Sequence, residues 1–248
     1  MSTHLPPSGR LAWWATAWLH GHVVTDLVVD AVLGDDVTQV VAGLHALGLG
    51  GPEGTDTLVG GLARLRAEGA RSVGAAFPVE GDPVGLGGPA AFNAAALEAG
   101  EAVVTDVGVG LVPVAVGPTT TWVAYAAQRR QLPDVGEADR ALRRELLEAA
   151  SALASLEVAR WRPEVADLLM NLRHRDPLTA PPGVPQRCVD LAERATQALA
   201  IVEAALVDDG AAISAHEADA RRAALVGLDR AARRALVAAC SPEAWPPA

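Results

Sequence analysis

The 248-residue chain has a formal net charge of −10 at pH 7, and half of its residues are hydrophobic while only 4% are aromatic. A chain of this length buries enough surface to fold without cross-links, and an acidic excess in both halves removes any general attraction to nucleic acid or anionic lipid. All 20 basic residues are arginine, which excludes a lysine Schiff base, a Walker-type lysine and a Ser-Lys dyad.

In chain order, residues 10–19 and 26–33 predict two short helices, the second capped by Thr25 and stopped by Gly34. Residues 35–47 predict a third, because Val37, Val40, Val41, Leu44 and Leu47 recur at helical spacing. Gly48-Leu49-Gly50-Gly51-Pro52 then leads into a helix over 57–68 and a strand over 71–79. The same pentapeptide returns as Gly85-Leu86-Gly87-Gly88-Pro89, before a helix over 90–99, Gly100 and a strand over 101–105. Two such units 37 residues apart read either as a weak internal duplication or as coincidence in glycine-rich text. Strands over 109–116 and 120–126 follow, joined by Gly117-Pro118 as a hairpin turn. The uncharged run 107–128 is long enough to span a bilayer, but its glycines, prolines and Thr119–Thr121 favour two buried strands.

Near residues 131–137 the texture changes. Beyond Gly136 only Gly183, Gly210 and Gly227 remain of 24 glycines, and Leu and Ala recur at steps of three and four. Leu142, Leu146, Ala149, Leu153 and Leu156 mark one helix, interrupted by Pro163. Val165, Leu168, Leu169 and Leu172 mark a shorter one. Ala192 to Leu206 and Leu225 to Ala239 mark two long helices, joined through Gly210 and a Ser214–Glu217 capping box into an antiparallel hairpin. The fold class expected is α+β or α/β, with a small mixed sheet of about four strands in the N-terminal half and an antiparallel helical bundle in the C-terminal half. Residues 1–130 and 137–240 are then two portions or one integrated domain, since the linker between them is too short for free movement.

No short signature fixes a reaction. His22 and Asp26, with Asp30, would share a helical face and are weak candidates as metal ligands; a histidine at a helix C-terminus and an aspartate at the next N-terminus explain them more simply. No metal site and no cofactor are expected. Gly50, Gly51, Gly87 and Gly88 precede helices, where free amides can hold phosphate, and arginines such as Arg71, Arg129 or Arg130 would meet an anionic ligand there. The plainer reading is structural turns. Arg222, Arg230 and Arg233 share one face of the last helix, as a contact for an acidic partner or as a solvated surface. Trp13 stands in a cluster with Trp14 and Trp18, as a core anchor or as an interface anchor.

Cys188 and Cys240 are the only cysteines. Two scattered thiols and no recognisable leader point to a soluble, cytoplasmic protein. The function expected is association with itself or another protein, without nucleic-acid or membrane partners. The alternative is an enzyme or binder of a small anionic metabolite, with its site where the sheet meets the bundle.

Overall fold

The computed structural model describes residues 5–34, 36–51, 53–128, 130–155, 177–207 and 215–245. It is a mixed α/β structure with a six-stranded sheet and seven helices among the described residues. The helices are α1 (Pro7–Leu19), α2 (Thr25–Leu33), α3 (Leu58–Ala67), α4 (Ala90–Ala99), α5 (Val135–Ser155), α6 (Gln186–Val207) and α7 (Ala215–Ala239). The strands are β1 (Thr38–Ala42), β2 (Thr55–Thr57), β3 (Val73–Ala76), β4 (Ala102–Thr105), β5 (Val109–Val116) and β6 (Thr119–Ala126). Across the sheet they run β2-β1-β6-β5-β4-β3, with β1 parallel to β6 and every other pair antiparallel.

Four strands lie where the sequence places them, and the β5–β6 hairpin turns at Gly117-Pro118 in the register Val116↔Thr119. Two further strands correct the expected number. The segment expected to be helical over 35–47 is β1 followed by a single 3-10 turn at His45–Leu47. Its apolar spacing suits a helix, but Val40 and Val41 are β-branched and stiff. Pairing of Thr38 to Ala42 with Thr119 to Val123 then decides the outcome. β2 is three polar residues that pair with β1, too short to carry a pattern. Thr25 also departs from expectation. Val24 occupies the cap position of α2, while the Thr25 hydroxyl accepts a hydrogen bond from Trp18 Nε1 at 3.1 Å.

The two faces of the sheet are covered unequally. On one, Val41, Val73, Val103, Val109, Leu111 and Trp122 pack against α1, α2 and α3. Trp122 is buried there and donates from Nε1 to Gln39 Oε1 at 2.8 Å; Gln39 in turn donates to the Val32 carbonyl at 2.9 Å, tying β6, β1 and α2 together. On the other face α4 packs, with Phe92 and Ala96 against Ala102, Val104 and Val112. Gly110 permits that approach, since a Cβ there would lie 2.7 Å from Phe92 Cζ.

In the C-terminal half α7 packs against both α5 and α6. Arg221 of α7 donates to the Ala205 carbonyl near the end of α6 at 2.7 Å, so these two helices run antiparallel. Arg194 of α6 meets Asp139 of α5 at 2.6 Å. Their seams are alanine-rich, as the sequence implies, and the largest core cluster joins them to Ala12 and Trp13 of α1 and to Ala75 and Phe77 near β3. The helix expected over 165–172 and the Ser214 cap lie outside the described residues. No helix among the described residues is long and apolar enough to cross a membrane.

Candidate functional site

The sheet meets the bundle along β3. This edge strand would normally present unpaired backbone groups. Here Thr16 of α1 satisfies both groups of Val73: its hydroxyl donates to the carbonyl at 3.1 Å and accepts from the amide at 3.0 Å. The Ala75 amide donates to the Cys240 carbonyl at 2.9 Å. The Ala75 carbonyl accepts from Arg130 Nη1 at 2.7 Å and from the Ser241 hydroxyl at 3.3 Å. Each outward-facing group of residues 73 and 75 therefore has a partner from another part of the chain.

Arg130 is the hub of this closure. It is 8% exposed. Besides Ala75 it reaches Ser241 Oγ at 3.0 Å and Glu243 at 3.3 Å through Nη2. Burial lowers its pKa, and Glu243 counters that effect. Gly74 makes room for the guanidinium, because a Cβ on Gly74 would collide with Arg130 Nη2 and lie 2.9 Å from Glu243 Oε2. The Nε of Arg130 has no hydrogen-bond partner among the described residues. A second clamp joins the loop after β3 to α7: buried Asp82 accepts from Arg234 through both carboxylate oxygens at 3.0 Å, with Arg230 Nε 3.6 Å away.

A cleft of about 580 Å³ opens beside Arg130. Val104, Leu132, Pro133 and Ala244 form apolar wall, while Asp106, Asp134 and Glu243 bring three carboxylates. Asp106 accepts from the Arg71 amide at 3.1 Å, and Asp134 Oδ1 accepts from the Glu137 amide at 3.0 Å at the start of α5. Among the described residues the lining is thus acidic on balance, and the Arg130 guanidinium is already paired with Glu243.

A different opening lies across the sheet. Alternation along the strands puts Val114 and Val116 of β5, Thr121 and Val123 of β6, and Val40 and Ala42 of β1 on the α4 face. The cluster under α4 ends at Val112 and Tyr125, and none of these six residues belongs to a core cluster among the described residues. Val116 is 71% exposed, Val114 46%, and Val37 just before β1 is 75% exposed.

The residues singled out in the sequence fall in several places. Trp13 is 1% exposed and donates from Nε1 to the Ala239 carbonyl at 3.1 Å, which fastens α1 to the end of α7 and leaves no surface for another molecule. Arg222 and Arg230 are exposed on α7; Arg233 is held by Asp229 at 2.9 Å. Gly50 and Gly51 sit beneath the Arg64 guanidinium, which pairs with Asp56 at 2.9 Å. The Gly88 amide is taken by Asn93 Oδ1 at 2.9 Å. Gly50, Gly51, Gly87 and Gly88 do not line the cleft beside Arg130, and Arg71 reaches it only through its amide on Asp106. Arg129 lies outside the described residues. His22 is exposed with Nδ1 3.3 Å from the Pro182 carbonyl, and Asp26 is exposed in the first turn of α2.

Sequence reasoning missed Asp82, Glu101 and the acidic cleft. Glu101 accepts from the Ser8 amide at 2.8 Å at the start of α1, and burial raises its pKa, with that hydrogen bond, Arg10 and Arg233 opposing. Only Asp134 carried a local signal, as an acid three residues before an amide in the first turn of a helix. Cys188 and Cys240 are free and buried; burial raises the Cys188 thiol to about 11 and pushes Cys240 further up.

A family model described as "Rv1486c-like protein, N-terminal domain" matches residues 8–137, and one described as "Rv1486c-like protein, C-terminal domain" matches residues 136–237. The chain is 32% identical to "Uncharacterized protein Rv1486c" of Mycobacterium tuberculosis (strain ATCC 25618 / H37Rv), over 97% of this chain and 99% of that protein. The same figures hold for "Uncharacterized protein MT1533" of Mycobacterium tuberculosis (strain CDC 1551 / Oshkosh). No solved structure matches. The chain belongs to the Rv1486c-like family.

Proposed function

We propose that this member of the Rv1486c-like family works by association, and that it pairs with a second copy of itself through the open face of β1, β6 and β5. The observation that carries this reading is the group of apolar side chains left uncovered there, with Val37, Val114 and Val116 the most exposed. Charge favours a second copy on this face in particular. Two chains at −10 repel overall, so like surfaces meet at least cost where no charge sits, and Val40, Ala42, Val114, Val116, Thr121 and Val123 carry none. Pairing along a sheet edge is the less suitable route, because β3 is capped by Thr16, Cys240 and Arg130 and β2 is three residues long. The patch spans only three strands, so the affinity expected is micromolar. Residues 1–130 and 137–240 act in this reading as one integrated body, supported by the core cluster that draws on both.

Sedimentation velocity at tens of micromolar tests it. A dimer that dissociates on dilution is expected, and Val114→Asp with Val116→Asp shifts the dissociation constant upward at least tenfold while the circular dichroism spectrum stays unchanged. A strict monomer at that concentration overturns the reading.

A second reading, small-molecule binding where the sheet meets the bundle, is favoured by the cleft beside Arg130. The anionic ligand expected from the sequence suits it poorly, since three carboxylates would face that ligand.

A further inference from the structure

We infer that the open sheet face is filled by helix α4 of a second copy, in a reciprocal pair where each copy lays its α4 across the open strands of the other. This inference rests on the reading of self-association above and goes beyond it by naming the element that makes the contact.

The first observation is the outer side of α4. A surface helix normally turns charged and polar residues to solvent. α4 reads Ala-Ala-Phe-Asn-Ala-Ala-Ala-Leu-Glu-Ala and seats Phe92 and Ala96 on its own sheet. By helical spacing the opposite side carries Ala90, Ala94 and Leu97, all of them exposed, with Leu97 at 38%. Glu98 is the single charged residue of the helix and stands at the margin of that side. The side turned to water is thus as apolar as a side meant for a core.

The second observation is what lies beside it. α4 covers Val104 of β4, Val112 of β5 and Tyr125 of β6. On the same face, the open strip runs across Val114, Thr121 and Val40, which are neighbours in register. Three strands spaced about 4.8 Å apart make a strip about 10 Å wide, roughly the diameter of one helix. A sheet face is ordinarily buried under such a layer, and this strip has room for one more helix next to α4.

Symmetry joins the two observations. A two-fold axis in the layer of α4, along the boundary between helix and strip, exchanges helix for strip and sets the second sheet above the first. Each α4 then has Phe92 and Ala96 on its own sheet and Ala90, Ala94 and Leu97 on the open strip of the other copy. The contact is self-complementary, as a closed two-fold interface requires. Stacking strip directly on strip would leave the outer side of α4 in water, whereas the reciprocal arrangement covers both apolar surfaces. The alanines let helix and sheet approach closely, and two acidic chains meet where Glu98, at the margin, is the charge nearest the contact.

Sedimentation velocity on the full chain at tens of micromolar tests this placement. Leu97→Glu is expected to raise the dimer dissociation constant at least tenfold, as Val114→Asp with Val116→Asp does. Leu147→Glu, at a 71% exposed position on α5, is expected to leave it unchanged within about twofold. Circular dichroism and thermal unfolding check that each variant folds as the parent does. A second measurement does not depend on Leu97: oxidation with diamide of an equimolar mixture of Ala94→Cys chains and Thr121→Cys chains should give the mixed cross-linked dimer in excess over both like pairs. A dimer weakened by the two sheet substitutions but not by Leu97→Glu, or like pairs in excess, leaves self-association standing and overturns the placement of α4. A strictly monomeric parent overturns the association reading and this inference with it. An equal loss with Leu147→Glu moves the contact to the bundle and overturns both.

Discussion

The edge of the sheet at β3 and the open face over β5 and β6 are finished in opposite ways. At β3 the outward backbone groups of residues 73 and 75 are met by Thr16, Arg130, Cys240 and Ser241, drawn from the first helix, the linker and the end of the last helix. Across the sheet, the second half of β5 carries valines that nothing among the described residues covers. One region is closed by many parts of the same chain, and the other is open. Stability and association should therefore respond to different residues.

The largest effect should come from Arg130. Arg130→Met takes the guanidinium away from the Ala75 carbonyl, Ser241 and Glu243 at once, leaving Ala75 and Ser241 only each other, and breaking a buried charged network by removing one partner costs about 3–5 kcal/mol. Chemical denaturation should show a loss of that order; a loss below about 1 kcal/mol would mean that the closure of β3 contributes little. Asp82→Asn should matter less, because both arginines it holds are about half exposed. The expectation is about 1–2 kcal/mol after allowing for solvent screening, read by the same method. Arg234→Ala and Asp82→Asn should then be non-additive.

Glu101 sharpens the comparison by pH. Its carboxyl is raised by burial, so its contribution to stability is present below the ordinary glutamate range, near pH 4, and is lost as pH rises through the raised value. Glu101→Gln keeps an oxygen for the Ser8 amide and removes the charge. Unfolding free energy measured from pH 4 upward should match the parent at the acid end and exceed it toward neutrality. A variant that falls below the parent at pH 7 would show that the charged form is favoured by its neighbours after all. The smallest effect on stability belongs to the open face. Val116→Thr replaces one β-branched side chain by another at an exposed position, so monomer stability should change by no more than about 0.5 kcal/mol. Dimerisation is where its effect should appear.

The same contrast explains what could be read from the sequence. The β5–β6 hairpin was legible because a Gly-Pro turn and flanking apolar residues state it locally, and α4 ends at Gly100 with φ 74°, a conformation that glycine adopts freely. The helical seams Leu142 to Ala149 and Leu225 to Ala239 were legible from spacing alone. β1 was not, because Val37 to Leu47 fits a helix locally and only β6, about 80 residues on, decides otherwise. Nor was the hub at Arg130, whose partners Ala75 and Ser241 stand 55 and 111 residues away. The acidic cleft has the same cause: Asp106, Asp134 and Glu243 share no segment and meet only once the bundle docks. Trp13 was legible as an anchor of some kind, but burial alone could say that it fastens α1 to α7.

The hydrogen bond from the Ala75 amide to the Cys240 carbonyl has a bearing on biosynthesis. Ser241, which also caps β3, lies 166 residues downstream of Ala75. While the chain is being made, every strand of the sheet has emerged long before the segment that seals its edge. During that interval the edge is only partly closed, by Thr16 and Arg130, and the Ala75 amide is left open to a neighbouring nascent chain. A message truncated before residue 240 leaves that window permanently open, so its product should collect in the insoluble fraction although it contains the whole sheet.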